Sequence, residues 1–294
     1  MKATDRLRLF AAAAVLPLIA AAACSSKPDR PAPFNRTVQV GFKAAAPGMS
    51  DYQYADGIFQ GFEPDLVGDV LGDAGVQHSR VLVTAESWQD ALGDGNTNHN
   101  RVDLVVADIS DTAGREKGFD MAGPYLMTPL GALTSAGHPV VVKRQEDLVA
   151  LRVCTVAKTT PRAFVEIEVK PRVSRDGHSP QDCLQDLDNG SADVFVSDYL
   201  PLRGIAENKK VNGKRPYVIT DGKFGKTQFL VAVLQKGHTR ACQWLRSKLD
   251  KYVKSLKWVD NLRRNFNFGT DETDDNLRQD FQPLISTSDN RCAA

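Results

Sequence analysis

The sequence contains few of the residues from which metal and catalytic sites are built. Its 294 residues include five histidines and five cysteines, which are scattered and match no zinc-binding spacing. The HExxH and GxSxG motifs are missing, and so is a glycine-rich phosphate loop. These absences argue against the enzyme classes that depend on such motifs. We therefore predict a protein that is not an enzyme and that has no metal and no cofactor.

The sequence also lacks an excess of either charge, because 37 Lys and Arg residues are balanced by 36 Asp and Glu residues. The formal net charge of +1 gives no basic surplus that would indicate a nucleic-acid partner. After residue 23 no apolar run is long enough to cross a membrane. The length is sufficient for a large core and favours two domains or lobes.

The N-terminal segment has the features of an export signal. Positive charge at Lys2, Arg6 and Arg8 precedes an apolar run over residues 9–23, which is too short for a stable membrane span. We therefore predict that residues 1–23 are a signal peptide and that the mature protein is exported. Export makes disulfide bonds permissible.

The residues that follow the signal peptide predict a lipid anchor. The small residues before Cys24 resemble a bacterial lipobox, in which the cysteine is lipidated after cleavage. The stretch over residues 24–36 is rich in Ser, Lys, Pro and Asp and is typical of a flexible tether. We predict lipidation of Cys24 and a lipid-anchored protein at the outer face of the cell membrane. A plain secretory signal followed by a structural cysteine is the alternative interpretation.

Strand and helix patterns alternate along the chain, which favours βαβ units and a largely parallel sheet. An apolar strand over residues 102–109 ends in short polar residues and leads into a helical turn that carries Arg115. A strand over residues 192–198 ends in a similar way at Ser197 and Asp198. Ligands of α/β proteins bind at such strand ends, and Arg can hold a carboxylate through two parallel hydrogen bonds. The two strand ends therefore predict a shared binding cleft.

Other elements are predicted from hydrophobic periodicity. Short strands are predicted over residues 131–135 and 140–142. The spacing of apolar residues predicts a helix over residues 239–256 and a second helix over residues 258–266. The tail over residues 269–294 is polar and is predicted to be loosely structured.

Several sequence blocks follow one another in a fixed order: Gly61-Phe62-Glu63-Pro64-Asp65-Leu66, Val102-Asp103-Leu104-Val105, Arg115-Glu116-Lys117-Gly118-Phe119-Asp120 and Gly123-Pro124-Tyr125. In this order they resemble blocks of the polar amino-acid-binding proteins of ABC importers. The family is that of the family-3 extracellular solute-binding proteins, glutamine- and glutamate-binding-like, with the type II periplasmic-binding-protein fold. The resemblance covers about residues 37–268. It implies an α/β fold of two lobes, joined by a hinge of two crossing strands, with the ligand between the lobes.

The resemblance also implies the bounds of the lobes. Lobe one takes residues 37–126 and 230–290, and lobe two takes residues 130–225. If Cys24 carries a lipid, four cysteines remain, and four cysteines allow three pairings. We favour Cys154–Cys183 with Cys242–Cys292, because this pairing keeps each bridge inside one lobe.

The site residues follow from the family blocks one position at a time. Arg115 matches the Arg that binds the ligand's α-carboxylate, and Asp198 matches the Asp that holds its α-ammonium. Asp108 stands where the family often has Gly or Thr, so a carboxylate near the ligand is a departure. The remaining candidates are a hydroxyl residue that assists Arg115, a loop that closes over the carboxylate, and contacts to the ligand's side chain: Ser110, Thr159, Thr160, Ser197, Lys43 and Trp88.

The resemblance implies a monomer whose ligand is a free amino acid. Glutamate, glutamine, aspartate and asparagine are the favoured ligands. The partner would be the permease and ATPase of an ABC importer. Two alternatives stay open at this point. One is a lipoprotein of the same fold that reports amino acids to a membrane sensor. The other is an enzyme like cyclohexadienyl dehydratase, for which only Asp108 or Glu86 could act as a general acid or base.

Overall fold

A computed structural model of the chain describes residues 29–92, 101–208, 212–284 and 291–292. The described strands are β1 (Val38–Lys43), β2 (Asp51–Gln53), β3 (Ile58–Gln60), β4 (His78–Val83), β5 (Leu104–Val105), β6 (Phe119–Ser135), β7 (Arg152–Val156), β8 (Val173–Gly177), β9 (Val194–Asp198), β10 (Tyr217–Ile219) and β11 (Phe224–Gln235). The described helices are α1 (Phe62–Asp73), α2 (Trp88–Leu92), α3 (Ala113–Glu116), α4 (Thr160–Phe164), α5 (Pro180–Asp188), α6 (Tyr199–Asn208), α7 (Thr239–Val253), α8 (Leu256–Phe266) and α9 (Asp274–Phe281). The signal peptide, Cys24 and the first residues of the tether lie outside the described residues.

One sheet of nine strands passes through the described part of the molecule in the order β4-β1-β5-β11-β6-β9-β7-β8, and β10 pairs with β6. Strands β4, β1 and β5 are parallel at one end, and β9, β7 and β8 are parallel at the other. Between them β11 and β6 are antiparallel to each other and to their outer neighbours. Parallel strands require crossover connections that cover the sheet, so each end carries its own helices. The predicted α/β fold of two lobes joined by two crossing strands is confirmed.

The crossing strand β6 is 17 residues long. Its first part pairs with β11, and Leu130 to Leu133 pair with β9 in the other half of the sheet. The separate strand predicted over residues 131–135 is therefore wrong, because these residues are the end of β6. Pro124 and Pro129 have no N–H that could donate to a neighbouring strand. The sequence of β6 therefore predicts two shorter strands instead of one long strand.

Two further predictions differ from the structure, the second of them only in part, and residues 285–290 and 293–294 of the predicted tail lie outside the described residues. Residues 140–142 form no strand, although the side chain of Val142 is buried in the core of the second half. The polar tail contains the helix α9, which begins after Thr273, whose hydroxyl accepts a hydrogen bond from the Asn276 N–H at 3.2 Å. Leu277 and Phe281 anchor this helix in the core of the first half. Tertiary packing thus overrides the mainly polar composition of this segment.

Each half of the molecule has its own apolar core and its own disulfide bond. Cys154 of β7 is bonded to Cys183 of α5, and Cys242 of α7 is bonded to Cys292. All four cysteines are fully buried. These are the two pairs that the predicted lobe layout favours, and neither bridge joins the two cores. The residue bounds of the lobes remain a prediction.

The Cys154–Cys183 bond is expected to contribute a large part of the stability of the second half. It closes a loop with a sequence separation of 29 residues. Removal of such a cross-link from the unfolded chain restores conformational entropy worth about 3–4 kcal/mol. We expect the Cys154→Ala/Cys183→Ala variant to lose about that free energy of unfolding in urea titrations. The matched control is the unmodified protein in reductant, which should lose at least as much. An unchanged urea midpoint of the variant would contradict the expectation.

Candidate functional site

A cavity of about 330 Å³ lies at the junction of the two halves of the sheet. The strand ends of β1 and β9 and the first residues of α4 all reach its wall. All nine candidate ligand-binding residues line it: Lys43, Trp88, Asp108, Ser110, Arg115, Thr159, Thr160, Ser197 and Asp198. Candidates that lie up to 155 positions apart in the chain, from Lys43 to Asp198, therefore share one space. Among the described residues no cluster of His, Cys, Asp or Glu is suitable for a metal ion.

Arg115 is held in position by its own turn and by an aromatic ring. Thr112 precedes α3, and its hydroxyl accepts the Arg115 N–H at 3.3 Å. The guanidinium donates through Nη1 to the Ser110 carbonyl oxygen at 2.7 Å, and its Cζ lies 5.5 Å from the centre of the Trp88 ring. Burial lowers the pKa of Arg115, whereas the charges of Asp108 and other nearby carboxylates raise it. The result is a preoriented cation with hydrogen-bond donors left for an anionic group.

Asp198 is the last residue of β9 and pairs with Leu130 of the crossing strand β6. Its side chain is buried, and its Oδ1 has no hydrogen-bond partner within the described part of the chain. Burial, followed by the charge of Asp108, holds the pKa of Asp198 well above its usual range, while Lys43 and Arg115 oppose the shift. A buried carboxylate oxygen that lacks a donor among the described residues is costly, so this group is suited to receive a cationic donor.

Asp108 follows β5 in the left-handed backbone region, at a φ of 54°. Its side chain is only 9% exposed, and its Oδ2 lies 3.4 Å from the Lys43 Nζ. Burial raises the pKa of Asp108, and the charge and hydrogen bond of Lys43 lower it. Its Oδ1 is buried and has no partner among the described residues. The departure from the family pattern is thus a partly buried Lys–Asp pair in the cavity wall.

Glu63 and Tyr125 hold the backbone of the cavity wall in place, and neither residue was predicted from the sequence to belong to the site. Glu63 is fully buried, and its Oε1 accepts the Tyr125 hydroxyl at 2.5 Å and the Asp108 N–H at 2.6 Å. Glu63 thereby fixes the backbone of Asp108, and Tyr125 connects it to β6. A signal was present, because a charged residue stands directly before Pro64 at the start of a helix whose inner face is otherwise apolar. Its partners, however, lie 45 and 62 positions away.

The hydroxyl side chains of Thr159, Thr160 and Ser197 differ in their contacts. Thr159 precedes α4, and its hydroxyl donates to the Val156 carbonyl oxygen at 2.6 Å and accepts the Arg162 N–H at 3.3 Å. These bonds fix the loop rather than leave the hydroxyl for a ligand. Thr160 and Ser197 line the cavity and are partly buried.

Glu86 takes no part in the cavity wall. It is exposed at the edge of the cleft, where its Oε1 lies 3.3 Å from the His178 Nδ1 of the other half. Of the two candidates for a general acid or base, only Asp108 therefore lies within the cavity.

The buried Glu63 is expected to make stability depend on pH. Burial, reinforced by the charge of Asp108, raises the pKa of Glu63 to about 7 from 4.5. The folded state retains the Glu63 proton more strongly than the unfolded state does. The contribution of protonated Glu63 to the free energy of unfolding is therefore fully present below pH 4.5 and is lost as the pH rises to about 7. We expect this loss to reach about 3 kcal/mol at most.

The Glu63→Gln variant, which does not titrate, isolates this contribution. Urea titrations of the ligand-free protein between pH 5 and pH 8 should give it a flatter stability profile than the parent protein. Glu168→Gln, which removes an exposed carboxylate outside the cavity, is the matched control and should retain the parent slope. Parallel profiles for all three proteins would contradict the expected role of Glu63.

The fold and the cavity together define a class of protein. Two α/β lobes joined by crossing strands, with charged side chains of both lobes on one cavity, are the construction of a solute-binding protein. The chain belongs to the bacterial extracellular solute-binding proteins, family 3, whose family model matches residues 38–267. This confirms the family resemblance of the sequence blocks.

Curated relatives of the chain include the glutamate-binding protein GluB of two corynebacteria. The protein from Corynebacterium efficiens is 24% identical over 225 residues, which is 74% of each chain. The protein from Corynebacterium glutamicum is 25% identical over 181 residues, which is 59% of each chain.

Solved structures of amino-acid-binding proteins share the fold. The solute receptor for L-cysteine of Neisseria gonorrhoeae superposes with a TM-score of 0.69 at 19% identity, over 82% of this chain and 94% of that chain. The substrate-binding protein AbpA of Streptococcus pneumoniae, bound to L-arginine, gives a TM-score of 0.68 at 16% identity, over 79% and 95%. The ancestral amino-acid-binding protein AncCDT-1, a precursor of cyclohexadienyl dehydratase, gives 0.66 at 22% identity, over 79% and 95%.

Proposed function

We propose that the protein captures one free amino acid in the cavity between its lobes. The observation that carries the proposal is that Arg115 on α3 and Asp198 at the end of β9, from the two halves of the molecule, line one cavity. An amino acid is a zwitterion, which needs a cation for its α-carboxylate and an anion for its α-ammonium. Arg115 supplies the first through its guanidinium fork, and the carboxylate of Asp198 supplies the second.

The size and lining of the cavity support a ligand of this class. A volume of about 330 Å³ is at the small end of the range for ligand sites, which runs from about 300 to 1,000 Å³. Apolar side chains from both lobes complete the wall, among them Leu82, Phe195 and Leu202. They exclude water around the charged groups and so strengthen the electrostatic contacts with a ligand.

The ligand is an acidic amino acid or its amide: glutamate, glutamine, aspartate or asparagine. Support comes from the relatives named as glutamate-binding proteins and from the Lys43 ammonium on the cavity wall. A screen of the twenty standard amino acids by thermal shift and calorimetry tests the function. At a free concentration of about 100 times its Kd, a ligand should stabilise the fold by about 2.7 kcal/mol and raise the Tm accordingly. If none of the twenty binds, the proposal fails.

The protein acts outside the cell and delivers its ligand to an ABC importer. This part of the proposal is supported by the family and by the predicted signal segment that precedes Cys24. Cells that produce the protein should incorporate a labelled fatty acid into it, and Cys24→Ser should abolish the label. Loss of the protein should reduce uptake of the ligand. Normal uptake in its absence would instead favour the membrane-sensor alternative.

A further inference from the structure

Two buried carboxylates share the cavity, although an α-ammonium needs only one. The side chains of Asp108 and Asp198 are nine-tenths or more buried, and both line the wall. Each has one oxygen without a hydrogen-bond donor among the described residues. Under the proposed function, on which this inference rests, the α-ammonium satisfies Asp198. Asp108 then still needs a donor from the ligand.

Asp108 does not stand alone, because Lys43 lies beside it. The contact between Lys43 Nζ and Asp108 Oδ2 is 3.4 Å, which is longer than the distance of about 2.7–2.9 Å typical of a charge-assisted hydrogen bond. An ammonium carries three donors, and the described residues give that of Lys43 one partner. The wall therefore presents an acceptor and a donor side by side.

The charged residues of the cavity wall restrict which chemical class of ligand side chain can bind. Lys43 and Arg115 are matched in number by Asp108 and Asp198, and the further lysine of the lining, Lys158, is exposed. A side-chain carboxylate would place another negative group beside Asp108, and a side-chain cation would place another positive group beside Lys43. A purely apolar side chain would leave the donor and the acceptor unsatisfied. A neutral side chain that both donates and accepts keeps the balance.

A primary carboxamide has this combination, because its NH₂ group donates and its carbonyl oxygen accepts. We propose that the Lys43–Asp108 pair recognises a side-chain carboxamide, so that the protein binds glutamine or asparagine in preference to glutamate or aspartate. The carboxamide NH₂ donates to the carboxylate of Asp108, and the carboxamide oxygen accepts from the Lys43 ammonium. Asp108 and Lys43 are thus specificity-determining residues of the site.

Calorimetry with four ligands tests the inference: L-glutamine, L-glutamate, L-asparagine and L-aspartate. For the parent protein we expect at least one carboxamide to bind about 100-fold or more tightly than its matching acid. The decisive variant is Asp108→Asn. Asn tolerates the left-handed backbone at this position and keeps the shape of the side chain, and its amide can donate to an acid. The preference for the carboxamide should therefore fall about tenfold or more.

The matched control is Asp250→Asn, which removes one carboxylate on α7, outside the cavity, and should leave all four affinities unchanged. Circular dichroism establishes that each variant is folded. The inference is overturned if the parent protein prefers neither glutamine over glutamate nor asparagine over aspartate, or if Asp108→Asn weakens all ligands equally. The second result would assign Asp108 to the α-ammonium. Either result leaves the proposed function standing, whereas the absence of any amino-acid ligand would remove both.

Discussion

Replacement of Arg115 by alanine is expected to weaken binding of the amino-acid ligand by about 1000-fold, or about 4 kcal/mol. The α-carboxylate would then be buried without its cation, and truncation of one partner of a buried charge pair carries a large cost. Calorimetry at neutral pH measures the change. The effect should be nearly the same for every ligand, because all amino acids share the α-carboxylate.

Arg115→Lys separates charge from geometry. The lysine retains the positive charge but cannot form two parallel hydrogen bonds to a carboxylate, so we expect a loss of intermediate size, about tenfold to 100-fold. Arg175→Ala removes an arginine of lobe two that pairs with Asp186 outside the cavity, and it serves as the matched control. Both Arg115 variants should remain folded, because this side chain donates only one hydrogen bond to the described backbone. Normal binding by Arg115→Ala would mean that the ligand lies elsewhere.

Replacement of Asp198 by asparagine is expected to weaken binding by about 100-fold, or about 3 kcal/mol. The change keeps the shape of the side chain and removes the charge that holds the α-ammonium.

The substitution of Asp198 is also expected to change how the affinity depends on pH. Burial and the charge of Asp108 raise the pKa of Asp198 well above its usual range when the cavity holds no ligand.

A ligand ammonium requires the ionised form of Asp198. As the pH falls through the raised pKa, the free protein takes up a proton there, and binding must expel it. Affinity in the parent protein should therefore decrease by about tenfold per pH unit below that pKa. In Asp198→Asn the affinity should be low at every pH, with a much weaker dependence. Asp250→Asn again controls for loss of one negative charge. A pH profile that is identical in the parent protein and in Asp198→Asn would contradict the role of Asp198.

The sequence alone was sufficient to identify the family and to name charged residues that line the cavity. Asp198 stands at the end of a buried strand, and Arg115 stands on the helical turn that follows one, within blocks whose order is specific. Such a strand end can be predicted from the local sequence, because the apolar run, the short polar residues and the start of the helix all lie within about ten residues. The pairing of the cysteines followed from the lobe layout that the same blocks imply.

The sequence was less informative where an element depends on its neighbours. The continuation of β6 through Pro124 and Pro129 is decided by pairing with β11 and then with β9. The helix α9 forms in a polar tail because Leu277 and Phe281 reach a core built mostly from distant parts of the chain. Local propensity is a weak predictor in such cases, since long-range packing contributes more free energy.

The sequence by itself determined the class of the protein, the two-lobed fold and the choice of Arg115 and Asp198, which the structure places on one cavity. Only the tertiary structure decided how the departure at Asp108 is accommodated. There the Lys43 ammonium lies beside the carboxylate, and Glu63, bonded to Tyr125, fixes its backbone. The contacts of Asp108 with Lys43 and Glu63 span 65 and 45 positions. No local pattern encodes contacts of that range, because they exist only when the sheet brings the strand ends together and burial makes an unpaired charge costly.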